Sequence, residues 1–439
     1  MVALQKYQNK NIAIYGMGIT GRSVAKTLKK LKAKIHCWDD NKKIIKIIKK
    51  SNFPISKFWK KNSFIDKIVI SPGIDIKKCR LKNYLKKNSK KIITDLDLFF
   101  ELNRDACIIS VTGTNGKSTT CKILEKILQT AKYKVKTVGN IGNPILSSNL
   151  KKRYFFILEA SSYQLQYSRL FRSKHAVILN ISPDHLERHG NIKNYTKIKF
   201  RIFQAQKYSD FSYINSYDKY SKLVKKRFIT EKIKSKLILI NKSNYKSLRK
   251  KIRNEYLLSN ANVQNLTFAY KIAKNLNIND TTIFKALNNF KGLPHRQEIV
   301  FSNKQLICIN DSKATTFESS LQSLSNYRRI YWIVGGLPKY KDNFNLKNVS
   351  KRIIKAYIIG KKISFFKKKI EKKVSYTVSK NLAKALENIR KDLRLSKNSR
   401  NTILLSPAAA SFDQFGNFEE RGNYFKTLIK KKFNKNINV

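Results

Sequence analysis

Short apolar runs alternate with longer mixed segments along most of the chain. The runs predict strands at residues 11–15, 34–38, 68–70, 106–111, 154–158 and 176–180, and further strands at 305–309, 329–334, 355–359 and 401–405. Segments between them, such as 121–128, repeat apolar residues at helical spacing. Strands that alternate with helices indicate an α/β fold with parallel sheets throughout.

Ten residues at 111–120, reading VTGTNGKSTT, join a predicted strand to a predicted helix. Such a loop binds phosphate, because its backbone N–H groups point inward and the helix dipole favours an anion. Gly113 and Gly116 let the backbone approach the phosphate, and Lys117 supplies a cation. Ser118 or Thr119 can hold Mg²⁺. The spacing GxxGK[ST] differs from the usual GxxxxGK[ST], and a bare turn that ends a strand is the alternative.

A second glycine loop, GMGITG at 16–21, follows the first predicted strand. The next strand ends in Asp39 and Asp40, and the third leads into the SPG turn at 71–73. A βαβ unit with GxGxxG and an acidic residue after its second strand is typical of nucleotide binding. The alternative is a tight turn without a ligand.

Polar residues follow other predicted strands, at the edge where open α/β sheets bind ligands. Glu159 and His185 follow two strands of the middle region and would help to position Mg²⁺ near the phosphates. A surface carboxylate and an incidental histidine are the alternatives. In the last region Lys313, Lys339 and Ser411 follow three strands, which suits the carboxylates of a small acidic substrate.

The composition limits the possible partners. The net charge is +66, from 93 Lys+Arg against 27 Asp+Glu, and it is spread along the whole chain together with many Ile and Asn residues. A/T-rich codons explain this bias without a nucleic-acid partner, and no metal finger or aromatic RNA-binding strand is present. A basic nucleic-acid-binding ATPase stays as an alternative. Short apolar runs, five scattered cysteines and no signal-peptide pattern predict a cytoplasmic protein without a membrane span.

The motifs taken together resemble the Mur ligases over essentially the full length of the chain. They read GMGITG, SPG, TGTNGKST, GNIG, LEASSYQL, LNISPDHLERH, GLPHR, NDSKAT, GGLPK and LLSPAAASFDQFGNFEERG. The resemblance implies three domains: a Rossmann-like domain at 1–95, a central P-loop-type mononucleotide-binding ATPase domain at 96–297 and a C-terminal Rossmann-like α/β domain at 298–439. It implies a monomeric enzyme that uses ATP and Mg²⁺ to add D-glutamate to UDP-N-acetylmuramoyl-L-alanine.

The resemblance also implies a role for each matching residue. The UDP-linked substrate would contact Ile19, Thr20, Asp39, Asp40, Ser71, Pro72, Gly73 and Asn140. ATP would contact Gly113, Thr114, Asn115, Gly116, Lys117, Ser118, Thr119, Asn265, Arg296 and Asp311. Catalysis would involve Lys117, Glu159, His185 and Lys199, and the metal ligands would be Ser118, Glu159, His185 and a carbamylated Lys199. D-glutamate would contact Lys313, Thr315, Lys339, Ser411 and Phe418.

The chain departs from the common Mur ligase motifs at two places, and two interpretations have alternatives. Ala261 stands where the family commonly has histidine, in the segment that would border the adenine, and Leu337 and Pro338 precede Lys339 where small or acidic residues are frequent. By composition alone, Lys199 is one surface lysine among many. Among enzymes, the alternative is another superfamily ligase such as a folylpolyglutamate synthase, although a dedicated first domain favours a UDP-sugar substrate.

Overall fold

A computed structural model describes residues 2–60, 64–139, 144–147, 154–258, 260–339, 342, 344–395 and 400–433. These residues form three β-sheets, and the chain divides into two compact units, Met1–Phe290 and Lys291–Val439. Within the described ranges, no helix combines the length and the apolar character needed to cross a bilayer.

The first sheet has four parallel strands in the order β2-β1-β3-β4. Its strands are β1 (Asn11–Tyr15), β2 (Lys34–Trp38), β3 (Lys67–Ile70) and β4 (Ile92–Ile93). The accompanying helices are α1 (Val2–Tyr7), α2 (Ile19–Lys30), α3 (Lys42–Lys50), α4 (Lys82–Lys87) and α5 (Asp95–Leu102). The predicted βαβ unit is confirmed, because β1 pairs in parallel with both β2 and β3.

The second sheet has six parallel strands in the order β10-β9-β8-β5-β7-β6. They are β5 (Cys107–Thr112), β6 (Val135–Gly139), β7 (Phe155–Glu159), β8 (His175–Ile178), β9 (Phe211–Asn215) and β10 (Lys236–Ile240). The helices are α6 (Lys117–Thr130), α7 (Ser162–Leu165), α8 (Leu186–His189), α9 (Ile192–Phe200), α10 (Ser221–Thr230), α11 (Lys242–Lys250), α12 (Asn260–Asn275) and α13 (Asp280–Asn288). After β5 the chain forms β6 and β7 on one side of β5, and it then forms β8, β9 and β10 on the other side. The carboxyl end of β5 is therefore the position at which such sheets bind ligands.

The third sheet lies in the second unit, in the order β11-β12-β16-β13-β14-β15. Its strands are β11 (Glu298–Ser302), β12 (Leu306–Asn310), β13 (Ile330–Gly335), β14 (Ile353–Ile359), β15 (Tyr376–Lys380) and β16 (Asn401–Leu405). The helices are α14 (Phe317–Asn326), α15 (Ile363–Ile370), α16 (Leu382–Arg394) and α17 (Phe418–Phe433).

The prediction of parallel sheets throughout is wrong at one strand, because β11 pairs antiparallel with β12. Only residues 303–305 connect the two strands, and such a short connection returns the chain in the opposite direction. The Asn303 side chain stabilises this turn by accepting hydrogen bonds from the backbone N–H groups of Gln305 and Leu306 at 2.9 and 2.7 Å.

One apolar core runs through both sheets of the first unit. It includes Tyr7 and Leu28 from the first sheet region and Phe99, Phe156 and Phe203 from the second. The division of this unit at residue 95 into two domains stays a prediction.

The structure gives a stability prediction for His175, at the amino end of β8. Its ring is 1% exposed, stacks on Phe211 and lies 2.9 Å from the Tyr213 hydroxyl. Burial lowers the pKa of His175 from 6.5 to about 4. The unfolded chain therefore binds a proton first as the pH falls, so stability is lost between pH 6.5 and 4, by about 3 kcal/mol at the acid end. The free energy of unfolding of the first unit can be measured in urea at pH 6.5 and at pH 4. Between these two pH values, wild type should lose about 3 kcal/mol more than His175→Gln. Equal pH slopes for the two proteins would contradict the assignment.

Candidate active site

The glycine loop at 113–116 joins β5 to α6. Gly116 has a φ of +83°, and a Cβ atom at this position would lie 2.1 Å from the Asn265 Oδ1 atom. Only glycine fits there, because the backbone is left-handed and α12 approaches it directly. The fold thus brings together Gly116 and Asn265, two residues that the sequence assigns to ATP although they lie far apart in the chain.

The segment after β8 fixes the shape of this loop. The Asn115 N–H donates to the Asn180 Oδ1 atom at 2.9 Å, and the Thr114 N–H donates to the Asn180 carbonyl at 3.0 Å. The Thr114 hydroxyl accepts a hydrogen bond from the Ser182 N–H at 3.0 Å. Ser118 and Thr119 are buried in the first turn of α6. Sequence reasoning missed Asn180, although it lies within the quoted LNISPDHLERH motif.

Lys117 is the first residue of α6. Its Nζ donates to the carbonyl oxygens of Gly113 and Thr114 at 2.9 and 2.8 Å. The amine therefore lies over the loop. The positive end of the α6 dipole lies at the same place. An anion bound here would therefore be stabilised by the Lys117 amine and by the helix dipole.

Lys199 is 1% exposed, so the interpretation of this residue as a surface lysine is wrong. Its Nζ donates to the Gly113 carbonyl at 2.9 Å, the same oxygen that Lys117 contacts, and lies 3.3 Å from the Thr112 hydroxyl. Burial, and then the charge of Lys117, lower the pKa of Lys199 well below its usual value. Helix α9 places the residue there, with the Nζ 4.7 Å from the centre of the Tyr195 ring.

Glu159 and His185 lie at the same end of the second sheet. Glu159 is the last residue of β7, is 2% exposed and pairs in register with Val111 of β5. His185 has a φ of +52° and precedes α8. Its Nδ1 atom is 3.2 Å from the Tyr163 hydroxyl and its Nε2 atom is 3.4 Å from Asp184. The charges of Asp184 and Glu159 act on Lys199 in the opposite direction to burial and raise its pKa.

The first glycine loop, at 16–21, is shaped by close packing. A Cβ atom on Gly21 would lie 1.9 Å from the Gly16 carbonyl oxygen, so α2 meets β1 only because residue 21 is glycine. The Ser71 hydroxyl donates to the same carbonyl, and the Asp39 carboxylate accepts from the Met17 N–H at 2.7 Å.

The other residues assigned to the UDP substrate surround this loop. Asp40 accepts hydrogen bonds from the Tyr15 hydroxyl and the Trp38 indole. Ile19 is 69% exposed beside Thr20 in the first turn of α2, and Pro72 and Gly73 follow Ser71. Asn140 lies outside the described residues.

Arg188 connects the turn after β3 to the segment that carries His185. Its guanidinium donates to the carbonyls of Ile74 and Gly73 at 2.5 and 3.4 Å and to the Gln166 side chain at 2.9 Å. It also covers the Tyr163 ring, with 5.4 Å between the guanidinium carbon and the ring centre. The sequence analysis assigned no role to Arg188, although it lies within the LNISPDHLERH motif.

In the second unit, Lys313 and Phe418 lie together, with the Lys313 Nζ 4.9 Å from the centre of the Phe418 ring. Thr315 follows in the same turn, where its N–H donates to the Lys313 carbonyl at 2.9 Å. A β-bridge between Leu337 and Ala410 brings the loop of Lys339 beside the segment of Ser411. Lys339 is exposed, and Ser411 is buried.

Asp311, also in the second unit, is already engaged within the protein. Its carboxylate accepts hydrogen bonds from the Ser323 and Ser406 hydroxyls at 2.6 and 2.9 Å, and from the Gln297 N–H at 3.2 Å. Burial raises the pKa of Asp311 to about 6, and the charge of Arg296 acts in the opposite direction. The predicted ATP contacts of Asp311 and Arg296 stay predictions.

Arg421 is a residue that the sequence interpretation missed. It is 1% exposed and donates to the Ser312 hydroxyl and carbonyl at 3.0 and 2.8 Å and to the Ala409 carbonyl at 3.0 Å. The side chain thereby holds the NDSKAT segment, which carries Lys313, against the AAAS segment, which carries Ser411. Burial lowers the pKa of Arg421 to about 10.

The sequence is similar to known proteins over nearly its whole length. Residues 111–288 match the family model of the Mur ligase middle domain. Proteins named UDP-N-acetylmuramoylalanine--D-glutamate ligase from Rickettsia felis and Wolbachia sp. subsp. Brugia malayi are each 32% identical, over 98% of this chain and 98% and 97% of their own length. The chain belongs to the Mur ligase family. It is therefore an enzyme of the ligase class, in a family of ATP-dependent ligases.

Solved structures of Mur ligases share the fold. A UDP-N-acetylmuramate-alanine ligase from Thermotoga maritima matches with a TM-score of 0.55 and 13% identity, over 96% of this chain and 99% of that one. A MurF ligase from Thermotoga maritima in complex with ADP matches with a TM-score of 0.54 and 14% identity, over 98% and 97%. At these identities the likeness concerns the fold alone, and it confirms the predicted multi-domain α/β architecture of a Mur ligase.

The donor set at the glycine loop fits Mg²⁺ better than a transition metal. Among the described residues, no group of three His, Cys, Asp or Glu side chains forms a ready-made metal site. Mg²⁺ commonly binds through one or two carboxylates together with substrate phosphates rather than in an all-protein cage. Glu159 offers one buried carboxylate and Ser118 one buried hydroxyl, both near the glycine loop at 113–116.

Proposed function

We propose that this Mur ligase joins D-glutamate to UDP-N-acetylmuramoyl-L-alanine, with ATP hydrolysed to ADP and phosphate, in the synthesis of peptidoglycan precursors. The observation that carries the proposal is the 32% identity to relatives of that name over nearly the full length of both chains. We further propose that the enzyme acts in the cytoplasm as a monomer.

We assign one substrate to each predicted domain. Residues 1–95 would bind the UDP portion at the first glycine loop, where Asp39 and the SPG turn support the backbone. Residues 96–297 would bind ATP at the second glycine loop. Residues 298–439 would bind D-glutamate, whose carboxylates suit the Lys313 amine beside Phe418 and the exposed Lys339 amine.

Mg²⁺ would be held by Ser118 and Glu159, with His185 and a carbamylated Lys199 near a second ion, and it would neutralise charge on the phosphates. Lys199 has the properties that carbamylation requires. Its low pKa favours the neutral amine, which is the form that attacks CO₂. The modified side chain would be an anion beside Lys117, and the two opposite charges would attract each other.

The protein's own residues would position the reactants rather than react with them. The N–H groups of the glycine loop and Lys117 would hold the γ-phosphate while the substrate carboxylate attacks it, giving an acyl phosphate and releasing ADP. The neutral amine of D-glutamate would then attack the activated carbonyl, and phosphate and a proton would leave. Arg421 would act as a positioning residue, since it fixes the backbone beside Lys313 and Ser411.

Phosphate release tests this proposal. With ATP, Mg²⁺ and UDP-N-acetylmuramoyl-L-alanine, we expect release only when D-glutamate is added, and at least about tenfold less with L-glutamate. Release with a folate and L-glutamate instead would favour a folylpolyglutamate synthase. ATP hydrolysis that depends on DNA or RNA would favour the nucleic-acid-binding alternative.

A further inference from the structure

A cleft of about 300 Å³ opens in the first unit, and none of the described residues proposed to bind substrate or ATP lines it. One wall comes from the loop after β3, from α4 and from β4. The other comes from the segment after α7 and from the short 3₁₀-helix Arg201–Phe203 that follows α9. Its volume is at the lower end of the range for small-molecule sites. We call it the basic cleft.

The interior of the basic cleft is apolar. Leu85 and Ile92 are buried at its base, and Ile76 and Tyr167 are partly buried beside them. The Tyr167 hydroxyl accepts a hydrogen bond from the Ile76 N–H at 3.1 Å, so the polar end of this ring is satisfied and its face is left for contact. A flat apolar group would remove these side chains from water.

The rim of the basic cleft carries five cations, Lys77, Lys82, Lys86, Arg169 and Arg201, and no acidic residue that the structure describes lines it. Among the described residues, no carboxylate lies within 4.0 Å of any of the five side-chain charges. Asp97 is the acidic residue below Arg169, but its Oδ1 atom accepts from the Ser168 hydroxyl and from the backbone N–H groups of residues 169–171.

The two arginines are the centre of this charge. Arg201 is only partly exposed, and its guanidinium donates to the Ser168 carbonyl at 3.0 Å, which directs it into the wall. Burial, and then the neighbouring charge of Arg169, lower the pKa of Arg201, and the charges of Asp97 and Glu231 act in the opposite direction. The guanidinium groups of Arg169 and Arg201 line the same cleft and repel each other. An anion bound between them would reduce this repulsion, and a phosphate matches their planar donors.

We propose that the basic cleft binds a small phosphate monoester with an aromatic or short aliphatic body, its phosphate between Arg169 and Arg201 and its apolar part over Leu85, Ile92 and Tyr167. This site is separate from the glycine loops and does not depend on the proposed function. The general charge of +66 attracts anions everywhere on the surface, so the site is distinguished by its stoichiometry and by its preference for an apolar body.

Calorimetric titration with 1-naphthyl phosphate tests the site, with ADP and UDP in excess to fill the glycine loops. We expect one molecule bound per chain, at least about tenfold more tightly than inorganic phosphate. Absence of binding, many equivalent sites, or equal affinity for inorganic phosphate would overturn the proposal.

Variants locate the binding. The double variant Arg169→Gln/Arg201→Gln should bind 1-naphthyl phosphate at least about tenfold more weakly. Lys82→Gln/Lys86→Gln should weaken binding severalfold, and because both lysines are exposed this variant tests the rim without altering the packed wall. The matched control Arg253→Gln/Arg328→Gln removes two exposed arginines that do not line the cleft and should bind like wild type. The assignment would be contradicted if the double arginine variant and the double lysine variant of the cleft both bound 1-naphthyl phosphate as tightly as wild type. It would also be contradicted if the control variant lost as much affinity as they do.

Discussion

Replacing Lys199 by alanine is expected to lower the ligation rate at least about a thousandfold, a loss of roughly 4 kcal/mol of transition-state stabilisation. The Lys199 amine lies 2.9 Å from the Gly113 carbonyl, which Lys117 also contacts, and the charges of Asp184 and Glu159 act on it. Its removal, and the loss of the carbamate we propose, would leave the charges around the γ-phosphate unbalanced. The measurement is the initial rate of phosphate release with all three substrates.

Two comparisons make the Lys199 experiment specific. Lys197→Ala changes an exposed lysine on the same helix and should retain the wild-type rate. Lys199→Met keeps the length of the side chain and should be as inactive as the alanine variant. It should unfold at the same or a higher temperature, because it removes a buried amine. Added bicarbonate should raise the rate of wild type alone. A near-normal rate for Lys199→Ala would show that the carbamate assignment is wrong.

Replacing Gly116 by alanine is expected to weaken ADP binding at least about tenfold, or about 1.4 kcal/mol. Its φ is +83° and its Cβ atom would lie 2.1 Å from the Asn265 Oδ1 atom, so either the loop or α12 must shift. A left-handed alanine alone costs roughly 1–2 kcal/mol. The measurement is calorimetric titration with ADP and Mg²⁺.

Gly18→Ala is the matched control for this experiment. A Cβ atom on Gly18 would meet nothing within 4 Å, and the residue lies in the other glycine loop. ADP should therefore bind this variant as it binds wild type. If Gly116→Ala bound ADP normally, the loop at 113–116 would not be the phosphate site.

The strands and glycine loops could be predicted because their signals are local. The predicted strands at 11–15, 34–38 and 401–405 have the observed bounds, and others differ by one or two residues at an end. A buried parallel strand reads as a short apolar run, and a glycine at a crowded or left-handed position is recognisable where glycine is otherwise scarce. Six strands were not predicted, β4, β6, β9, β10, β11 and β15, since their runs are short or contain polar residues. Five of them are edge strands, and β9 lies next to an edge strand.

The α/β class, the two glycine loops and the family follow from the sequence alone, because periodicity, steric demand and motif spacing are properties of neighbouring residues. The burial of Lys199, the contact of Arg421 with two segments, the antiparallel β11 and the five cations around one apolar cleft become visible only in the folded chain. These facts depend on which distant segments pack together. Lys199 is 86 residues from the carbonyl that it contacts, and its pKa is set by burial and by charges that no local pattern reveals.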